Sequence, residues 1–305
     1  MKNIISRLSG FTPRRRRLSI LAEWTRHCNL ECPMCPINAP TMRPAGQMSL
    51  DLWERILDCC KREGHFVDWV HHLGEPLTWK NFFEGMRLWR KSGLSKLGHI
   101  STNGLLLTDD RIHCIDETGI GFIRICIDTL DPTVYKRLRA NDKHSIVINN
   151  IHRLLDRAPN IQCQVQLMRT SLYPDESPKD FFKEFGARPN LRIFVTQCMD
   201  VGGDKSLTLC RNVNPDPRTC LKLNYEHCPI TWDGQIGLCC VDYRLLNRLG
   251  SMEEGSISSV YLGKYAEDVR SRVRRGDYSL APACGTCPMD HVNYTCALLA
   301  SSDLA

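Results

Sequence analysis

The sequence predicts an α/β fold: a partial (β/α)6 barrel that is TIM-like, followed by a small cysteine-rich module with a β-hairpin and a helix. Apolar, strand-like runs alternate with segments of helical periodicity through about six units. The run over residues 122–127 is almost continuously apolar, as expected of a parallel strand covered on both faces. Beyond residue 205 the alternation stops, and cysteines and turn residues become frequent.

The predicted strands of the barrel share an apolar run that ends in polar or turn residues. They cover residues 18–25, 66–72, 99–102, 122–127, 161–168 and 191–195. The predicted helices have apolar residues at helical spacing and cover residues 50–62, 82–89, a stretch from 109, 145–156 and a segment around 181. Ligands of parallel folds bind at the carboxyl ends of the strands, so functional residues are expected there.

The C-terminal part is predicted to contain a hairpin and then a helix. Asp233 and Gly234 separate two short apolar runs, which is a strong hairpin signal. Residues 260–275 have an apolar face at helical spacing. We therefore expect a basic arm at residues 1–17, the barrel at 18–205, the cysteine-rich module at 206–290 and a tail at 291–305.

Charge and cysteine content narrow the class of protein. The chain has 305 residues and a formal net charge of +6, much of it from the arginine run at residues 14–17. No second basic stripe supports nucleic-acid binding, and no secretory signal or membrane-spanning run is visible. We therefore expect a cytoplasmic protein that binds neither nucleic acid nor a membrane. In such a reducing compartment, 17 cysteines favour metal binding over disulfides.

Three cysteines lie in one short loop directly after the first predicted strand. Cys28, Cys32 and Cys35 have Cys-x3-Cys-x2-Cys spacing. Structural zinc sites take four ligands, often in paired Cys-x2-Cys knuckles. Three thiolates without a nearby fourth suit an iron–sulfur cubane with one open iron. A zinc knuckle is the alternative.

This loop resembles that of the radical S-adenosylmethionine (SAM) superfamily, with Met34 where many members have an aromatic residue. The resemblance implies that the three cysteines hold a catalytic [4Fe–4S] cluster whose open iron chelates SAM. In that family an electron from the cluster cleaves SAM to a 5′-deoxyadenosyl radical, which abstracts a hydrogen atom from the substrate. The implied electron donor is a flavodoxin or a ferredoxin.

A second motif follows the second predicted strand. Gly74, Glu75 and Pro76 resemble the family's Gly-Gly-Glu-Pro motif, with Leu73 at the first glycine, and imply binding of the SAM amino group. Taken alone, Gly-Glu-Pro is an ordinary turn. The histidines at positions 71 and 72 are expected to face opposite ways and to have hydrogen-bonded roles in the core.

Two further matches end the third and fourth predicted strands. Thr102 and Asn103 resemble the family's Thr-Asn-Gly motif and imply contact with the SAM ribose, although Asn-Gly also suits a turn. Asp128 and Arg139 resemble residues that contact the SAM carboxylate or ribose. Cys126 stands where the family usually has serine, and is either a small core residue or a hydrogen-atom donor.

The cysteine-rich module contains a second candidate ligand set. Its members are Cys220, Cys239, Cys284 and Cys287. Four thiolates, two of them in a Cys-x2-Cys knuckle, would also satisfy zinc. The arrangement resembles the SPASM/twitch extension of radical SAM enzymes and implies an auxiliary [4Fe–4S] cluster, and the shorter, single-cluster twitch form fits the cysteine count better. Cys228 and Cys240 are the alternative ligands.

The resemblance leads to a hypothesis about the reaction. Twitch-type members include 2-deoxy-scyllo-inosamine dehydrogenase and aminoglycoside epimerases, so we expect radical oxidation or epimerisation of a small hydroxylated substrate, such as an aminosugar or cyclitol. One alternative is radical modification of a ribosomally made peptide. Another is a non-catalytic iron–sulfur or zinc protein that transfers electrons or senses redox state.

Two groups of residues are candidates for contact with that substrate. The candidate hydrogen-atom donors for epimerisation are Cys126, Cys228 and Cys240, with Cys240 favoured because it follows a proposed cluster ligand. The candidate substrate contacts lie in the last predicted strands of the barrel and are Gln164, Gln166, Arg169 and Gln197.

Overall fold

Ten strands form a single sheet in the computed structural model, which describes residues 16–198, 205–207, 218, 220, 223, 227–287 and 296–304. In chain order, β1 to β10 are Ser19–Ala22, Phe66–Trp69, His99–Thr102, Phe122–Asp128, Gln162–Arg169, Leu191–Gln197, His227–Ile230, Gln235–Gly237, Arg248–Ser251 and Ala297–Leu299. Their order across the sheet is β10-β6-β5-β4-β3-β2-β1-β7-β8-β9. Residues 1–15 of the predicted arm and 291–295 of the predicted tail lie outside the described residues.

Strands β1 to β6 are parallel neighbours in chain order, which confirms the predicted partial barrel. Within the described residues the sheet stays open. β7 pairs in parallel with β1, so that Cys228 lies opposite Ile20, and β8 and β9 continue antiparallel beyond it. β10 pairs antiparallel with β6 at the other edge. The C-terminal part therefore extends the barrel sheet on both sides.

The described residues also contain nine α-helices. In chain order, α1 to α9 are Leu50–Glu63, Phe82–Ser92, Asp109–Thr118, Pro132–Arg139, His144–Arg157, Pro178–Phe185, Ile257–Tyr261, Lys264–Arg274 and Pro282–Gly285. The helix predicted over residues 260–275 is confirmed as α8, but its predicted start is wrong, because Gly263, with an extended backbone, separates α7 from α8. The periodicity also misses α4, whose local signal is its cap, since Asp131 accepts the N–H groups of Thr133 and Val134. None of the described helices is long and apolar enough to cross a membrane.

Four buried tryptophans pack beside the start of the cysteine loop. Trp24 stacks on Trp79 with ring centroids 4.7 Å apart, and meets Trp53 and Trp89 edge-on at 5.3 and 5.8 Å. Aromatic pairs of this geometry contribute about 0.5–1.5 kcal/mol each beyond the buried area. Because Trp24 immediately precedes Thr25, this packing anchors the first residues of the cysteine loop to the core.

A buried carboxylate joins four segments at the carboxyl end of β1. Glu23 is fully buried and forms a bidentate ion pair with Arg43, at 2.7 and 2.5 Å. Its oxygens also accept the backbone N–H groups of Leu73 and Trp232, at 3.2 and 3.3 Å. Arg43 in turn donates to the carbonyl oxygen of Tyr243 at 3.0 Å. One side chain thus holds β1, the loop after β2 and the C-terminal hairpin together.

Replacement of Glu23 by alanine should destabilise the fold by about 3–5 kcal/mol, because Arg43 would stay buried without its counter-charge. The exposed ion pair between Arg55 and Glu253 provides the control, and Glu253→Ala should cost less than about 1 kcal/mol. Denaturant unfolding of both variants, followed by circular dichroism under anaerobic conditions, measures the difference. An equal loss of stability in both variants would show that the buried ion pair contributes no more to stability than the exposed one.

Candidate active site

The cysteine loop lies at the carboxyl end of β1, as the strand prediction requires. The backbone N–H of Cys35 donates to the carbonyl oxygen of Cys32 at 3.0 Å, which turns the loop back on itself. Burial, together with the charges of Glu75, Cys32 and Cys35, raises the pKa of Cys28 to about 12. Burial and Cys32 likewise raise the pKa of Cys35. The three predicted cysteines therefore share one short loop, and their assignment as ligands of one cluster stays a prediction.

The motif after β2 packs directly onto this loop. Gly74 has a φ of +82°, and a Cβ atom there would lie 2.3 Å from the carbonyl oxygen of Thr25. The N–H of Glu75 donates to the carbonyl oxygen of His27 at 2.8 Å, and Pro76 opens a short buried 3-10 turn. Only glycine permits this backbone conformation and approach without strain.

The carboxylate of Glu75 connects this motif to the end of β3. It accepts hydrogen bonds from the hydroxyl of Thr102 at 2.7 Å and from the backbone N–H groups of Asn103 and Leu77 at 2.7 and 3.1 Å. Burial raises the pKa of Glu75, and these donors act in the opposite direction. The side chain of Asn103 donates to Asn29 in the cysteine loop at 2.7 Å. The two motifs therefore form one scaffold around the loop, and their contact with the SAM ribose stays a prediction.

The predicted residues Asp128 and Arg139 form a buried ion pair at 2.6 Å. Asp128 has a φ of +74°, which residues other than glycine rarely adopt, at the irregular end of β4. Arg139 also donates to the carbonyl oxygen of Cys126 at 2.6 Å and to Cys32 Sγ at 3.6 Å. Burial acts against its charge, but Asp128, Cys32 and Cys126 raise the pKa of Arg139 well above its usual value. A fixed positive charge therefore lies against the cysteine loop.

The inner face of the barrel carries both polar and aromatic side chains. Along β4, three fully buried isoleucines alternate with the half-buried side chains of Phe122, Arg124 and Cys126. The isoleucines belong to the core shared with the helices, so the other three side chains line the inner face. Gln164 accepts two hydrogen bonds from Arg124, at 2.8 and 3.1 Å. Of the candidate substrate contacts, Gln164 is thus fixed by a neighbouring side chain.

A second fixed group lies further along the same face. Gln166 donates to Asp128 at 2.7 Å, and the thiol of Cys126 donates to Gln166 at 3.8 Å. Burial raises the pKa of Cys126 to about 12, so its thiol is protonated at neutral pH. The other two candidate contacts, Arg169 and Gln197, lie opposite each other at the ends of β5 and β6.

Ring faces complete this surface, and they were not predicted from the sequence. The guanidinium group of Arg124 lies 3.7 Å from the ring centroid of Phe194, and His71 stacks on Trp69 at 5.6 Å with an interplanar angle of 7°. Burial, with His99 and Arg124, lowers the pKa of His71 to about 3, so this imidazole is neutral. The sequence signal that could have predicted this surface is the alternation of polar and apolar residues within β4, β5 and β6.

The second histidine faces a different part of the molecule. His72 donates from Nε2 to the carbonyl oxygen of Cys240 at 2.8 Å and lies beside Tyr243. β2 ends at Trp69, so neither histidine lies in the strand predicted over residues 66–72. The expected hydrogen-bonded role is confirmed for His72, whereas the buried Nδ1 of His71 has no hydrogen-bond partner among the described residues. The contact of His72 joins the loop after β2 to the loop that carries the second set of cysteines.

Two of the four predicted auxiliary cysteines have pKa values that other members of the set influence. Burial, followed by Cys287 and Cys220, raises the pKa of Cys284 to about 12. A hydrogen bond with Cys240, burial and the charge of Cys220 raise the pKa of Cys239. Cys220 thus influences both Cys239 and Cys284, and the assignment of the four cysteines as ligands of one cluster stays a prediction. Within the described residues, no three cysteine, histidine, aspartate or glutamate side chains converge as ligands of one metal ion.

The two alternative ligands have different surroundings. Cys240 adjoins the set through its hydrogen bond with Cys239. Cys228 is fully buried in β7, and burial followed by the charge of Cys60 raises its pKa well above the usual value, with Cys59 contributing. Cys228 is therefore a neighbour of the cysteines of α1, whereas Cys240 is a neighbour of the auxiliary set.

The fold is thus a partial barrel with three cysteines in the loop after β1 and four more in a C-terminal part that extends the same sheet. Two family models match this chain: the radical SAM superfamily over residues 22–183, which is more than half of the chain, and the SPASM iron–sulfur cluster-binding domain over residues 220–288. The chain belongs to the radical SAM superfamily and carries a C-terminal SPASM domain. Its cofactors are accordingly SAM, a [4Fe–4S] cluster and auxiliary iron–sulfur.

Known proteins resemble this chain either over part of its sequence or in their fold. A PqqA peptide cyclase of Rhodopseudomonas palustris is 30% identical over 122 residues, which are 40% of this chain and 31% of that protein. A cofactor-modifying protein for a tungsten-containing aldehyde ferredoxin oxidoreductase of Pyrococcus furiosus is 34% identical over 109 residues, 35% of this chain and 30% of that protein. The chain spans about a third of the length of these curated relatives.

A solved structure matches nearly the whole fold. It is BtrN in complex with AdoMet and 2-DOIA, with a TM-score of 0.59 and 16% identity, and the match covers 90% of this chain and 94% of that chain. At this level of identity the match shows the fold alone.

The residues present fit a catalytic cluster with SAM. Cys28, Cys32 and Cys35 would hold the cluster, and the guanidinium group of Arg139 at Cys32 offsets part of the thiolate charge. When bound, the cluster and SAM together supply a radical that abstracts hydrogen from a substrate. The scaffold of Gly74, Glu75 and the end of β3 then fixes the loop in position.

Replacement of Cys28, Cys32 and Cys35 together by alanine should abolish the release of 5′-deoxyadenosine, because no thiolates remain to hold the catalytic cluster. The measurement is chromatography after anaerobic reconstitution, reduction with dithionite and addition of SAM. Cys114→Ala, at a half-buried cysteine of α3, is the matched control and should release it normally. Undiminished release by the triple variant would rule this ligand set out.

Gly74→Ala should weaken SAM binding by about tenfold or more. The positive φ alone costs about 1–2 kcal/mol in alanine, and the contact with the carbonyl oxygen of Thr25 adds to that cost. Gly64→Ala is the control, since Gly64 has a similar φ of +77° but no atom within 4 Å of the added Cβ. Equilibrium binding of SAM to both reconstituted variants measures the effect. Equal affinities would refute a role for the close approach.

Proposed function

We propose that this radical SAM enzyme oxidises or epimerises a carbon–hydrogen centre of a small hydroxylated substrate, such as an aminosugar or cyclitol. The observation that carries the proposal is the inner face of the barrel. It combines ring faces with hydrogen-bonding side chains that their neighbours already fix, as in Arg124 with Gln164 and Gln166 with Asp128. Binding sites for small polar molecules have this composition, an apolar or aromatic wall with a few fixed polar groups.

The two reactions differ in the fate of the carbon radical that forms when the substrate loses its hydrogen atom. In oxidation, the auxiliary iron–sulfur centre would accept one further electron from the carbon radical, the hydroxyl proton would pass to solvent, and a carbonyl group would form. In epimerisation, a thiol S–H bond breaks and its hydrogen atom returns to the carbon, and an external reductant with a proton restores the thiol. The protonated thiol of Cys126 on the inner face supports it as one donor, and Cys240 beside Cys239 is a second. The third candidate, Cys228, is fully buried beside the cysteines of α1, which disfavours it.

The comparisons point to two classes of substrate. BtrN, whose fold matches this chain over 94% of its own length, was crystallised with 2-DOIA, which supports a small molecule. The partial match to a PqqA peptide cyclase favours a peptide substrate as the second candidate function. In either case we propose that a flavodoxin or ferredoxin delivers the electrons, and that the enzyme acts in the cytoplasm.

Supplied with candidate substrates deuterated at their ring carbons, the reconstituted enzyme should transfer deuterium to 5′-deoxyadenosine from an aminosugar or cyclitol. Such transfer requires that the abstracted atom come from that substrate, and mass spectrometry detects it. A parallel panel of labelled peptides tests the second candidate. Deuterium transfer from peptides alone would overturn the proposal.

Product analysis in deuterated water then separates the two reactions. Solvent deuterium at the reacting carbon, lost in Cys126→Ala or Cys240→Ala, would identify epimerisation and its donor. A carbonyl product formed by both variants would identify oxidation. Cys163→Ala, a buried cysteine on the helix-facing side of β5, is the matched control and should behave as the wild type.

A further inference from the structure

Asn247 makes a specific contact with one of the auxiliary cysteines. It lies between β8 and β9 and is only 2% exposed. Its side-chain nitrogen donates to Cys284 Sγ at 3.3 Å, and its side-chain oxygen accepts the backbone N–H of Ala283 at 3.0 Å. Asn247 therefore holds the start of the Cys284–Cys287 knuckle through two bonds.

The orientation of this amide is determined by its partners. A backbone N–H is only a donor, so the atom that faces Ala283 must be the oxygen and the nitrogen must face the sulfur. The backbone N–H of Asn247 donates to the carboxylate of Asp242 at 2.7 Å, and the N–H of Asp242 donates to the carbonyl oxygen of Cys239 at 3.2 Å. The asparagine is thus tied to the loops of two auxiliary cysteines, and its N–H points at one sulfur.

We propose that Asn247 is a positioning residue that raises the reduction potential of the auxiliary iron–sulfur centre through its N–H···S hydrogen bond to Cys284. The proposal depends on Cys284 being a ligand of that centre, and it does not depend on the substrate.

The physical reason is the charge that reduction adds. One extra electron makes the cluster and its thiolates more negative, so a fixed hydrogen-bond donor stabilises the reduced form more than the oxidised form. Hydrogen bonds to ligand atoms tune metal centres in this way. The effect is larger at a buried site, where water does not screen the interaction, and Asn247 is buried. A higher potential makes the auxiliary centre a better electron acceptor, which is the property that substrate oxidation needs.

The test is a redox titration of the full-length reconstituted enzyme, followed by electron paramagnetic resonance. The signal that changes on addition of SAM belongs to the catalytic cluster, and the remaining signal reports the auxiliary centre. Asn247→Leu keeps the approximate shape of the side chain but lacks the donor, so the auxiliary potential should shift to a lower value. Thr286→Ala, at an exposed position between Cys284 and Cys287, is the matched control and should leave the potential unchanged. An unchanged potential in Asn247→Leu would overturn the proposal.

A second measurement needs no variant that might load its cluster poorly. In wild-type enzyme containing asparagine labelled with ¹⁵N at the side-chain amide, the auxiliary signal should show a hyperfine coupling to ¹⁵N across the N–H···S bond. Absence of that coupling would also overturn the proposal. The Cys284→Ala variant tests the assumption that Cys284 is a ligand of the auxiliary centre. Retention of a complete auxiliary centre would show that Cys284 is not a ligand, and would leave the substrate proposal intact.

Discussion

The buried ion pair of Glu23 and Arg43 is the interaction on which the arrangement of the site depends. Two charges withdrawn from water are tolerated only when their hydrogen-bonding capacity is satisfied. Here the remaining capacity of the carboxylate is used by the N–H groups of Leu73 and Trp232. The buried charge of Glu23 thus fixes the loop after β2 and the C-terminal hairpin relative to β1. It thereby also fixes the two sets of cysteines relative to each other.

Beside the cysteine loop, a second buried carboxylate is satisfied by hydrogen bonds from neutral donors. Glu75 is buried because three donors converge on it, and those donors come from its own turn and from the end of β3. Gly74 lets the turn approach the loop backbone, and Arg139 approaches from the other side through Cys32. The residues that the family resemblance assigns to SAM therefore build the support of the cysteine loop in this chain.

The sequence predicts those parts of the structure that depend on local patterns of residues. The six barrel strands follow from apolar runs, and the cysteine spacing and Gly74–Pro76 turn follow from short motifs. It could not reach contacts between residues far apart in the chain, such as the pair of Asn247 and Cys284, because periodicity carries no information about them. The break between α7 and α8 at Gly263 was missed for a different reason, since the apolar spacing continues across it while the backbone does not.

The parallel pairing of β1 with β7 has a consequence for how the chain folds. Residues 20 and 228 are neighbours in the sheet but are separated by most of the barrel in sequence, and contacts of such long range form slowly. β7 follows β1 to β6 in the chain, so this edge of β1 has no partner strand until residues 227–230 have been made. An unpaired edge is a template for other strands, and pairing with β7 covers this one.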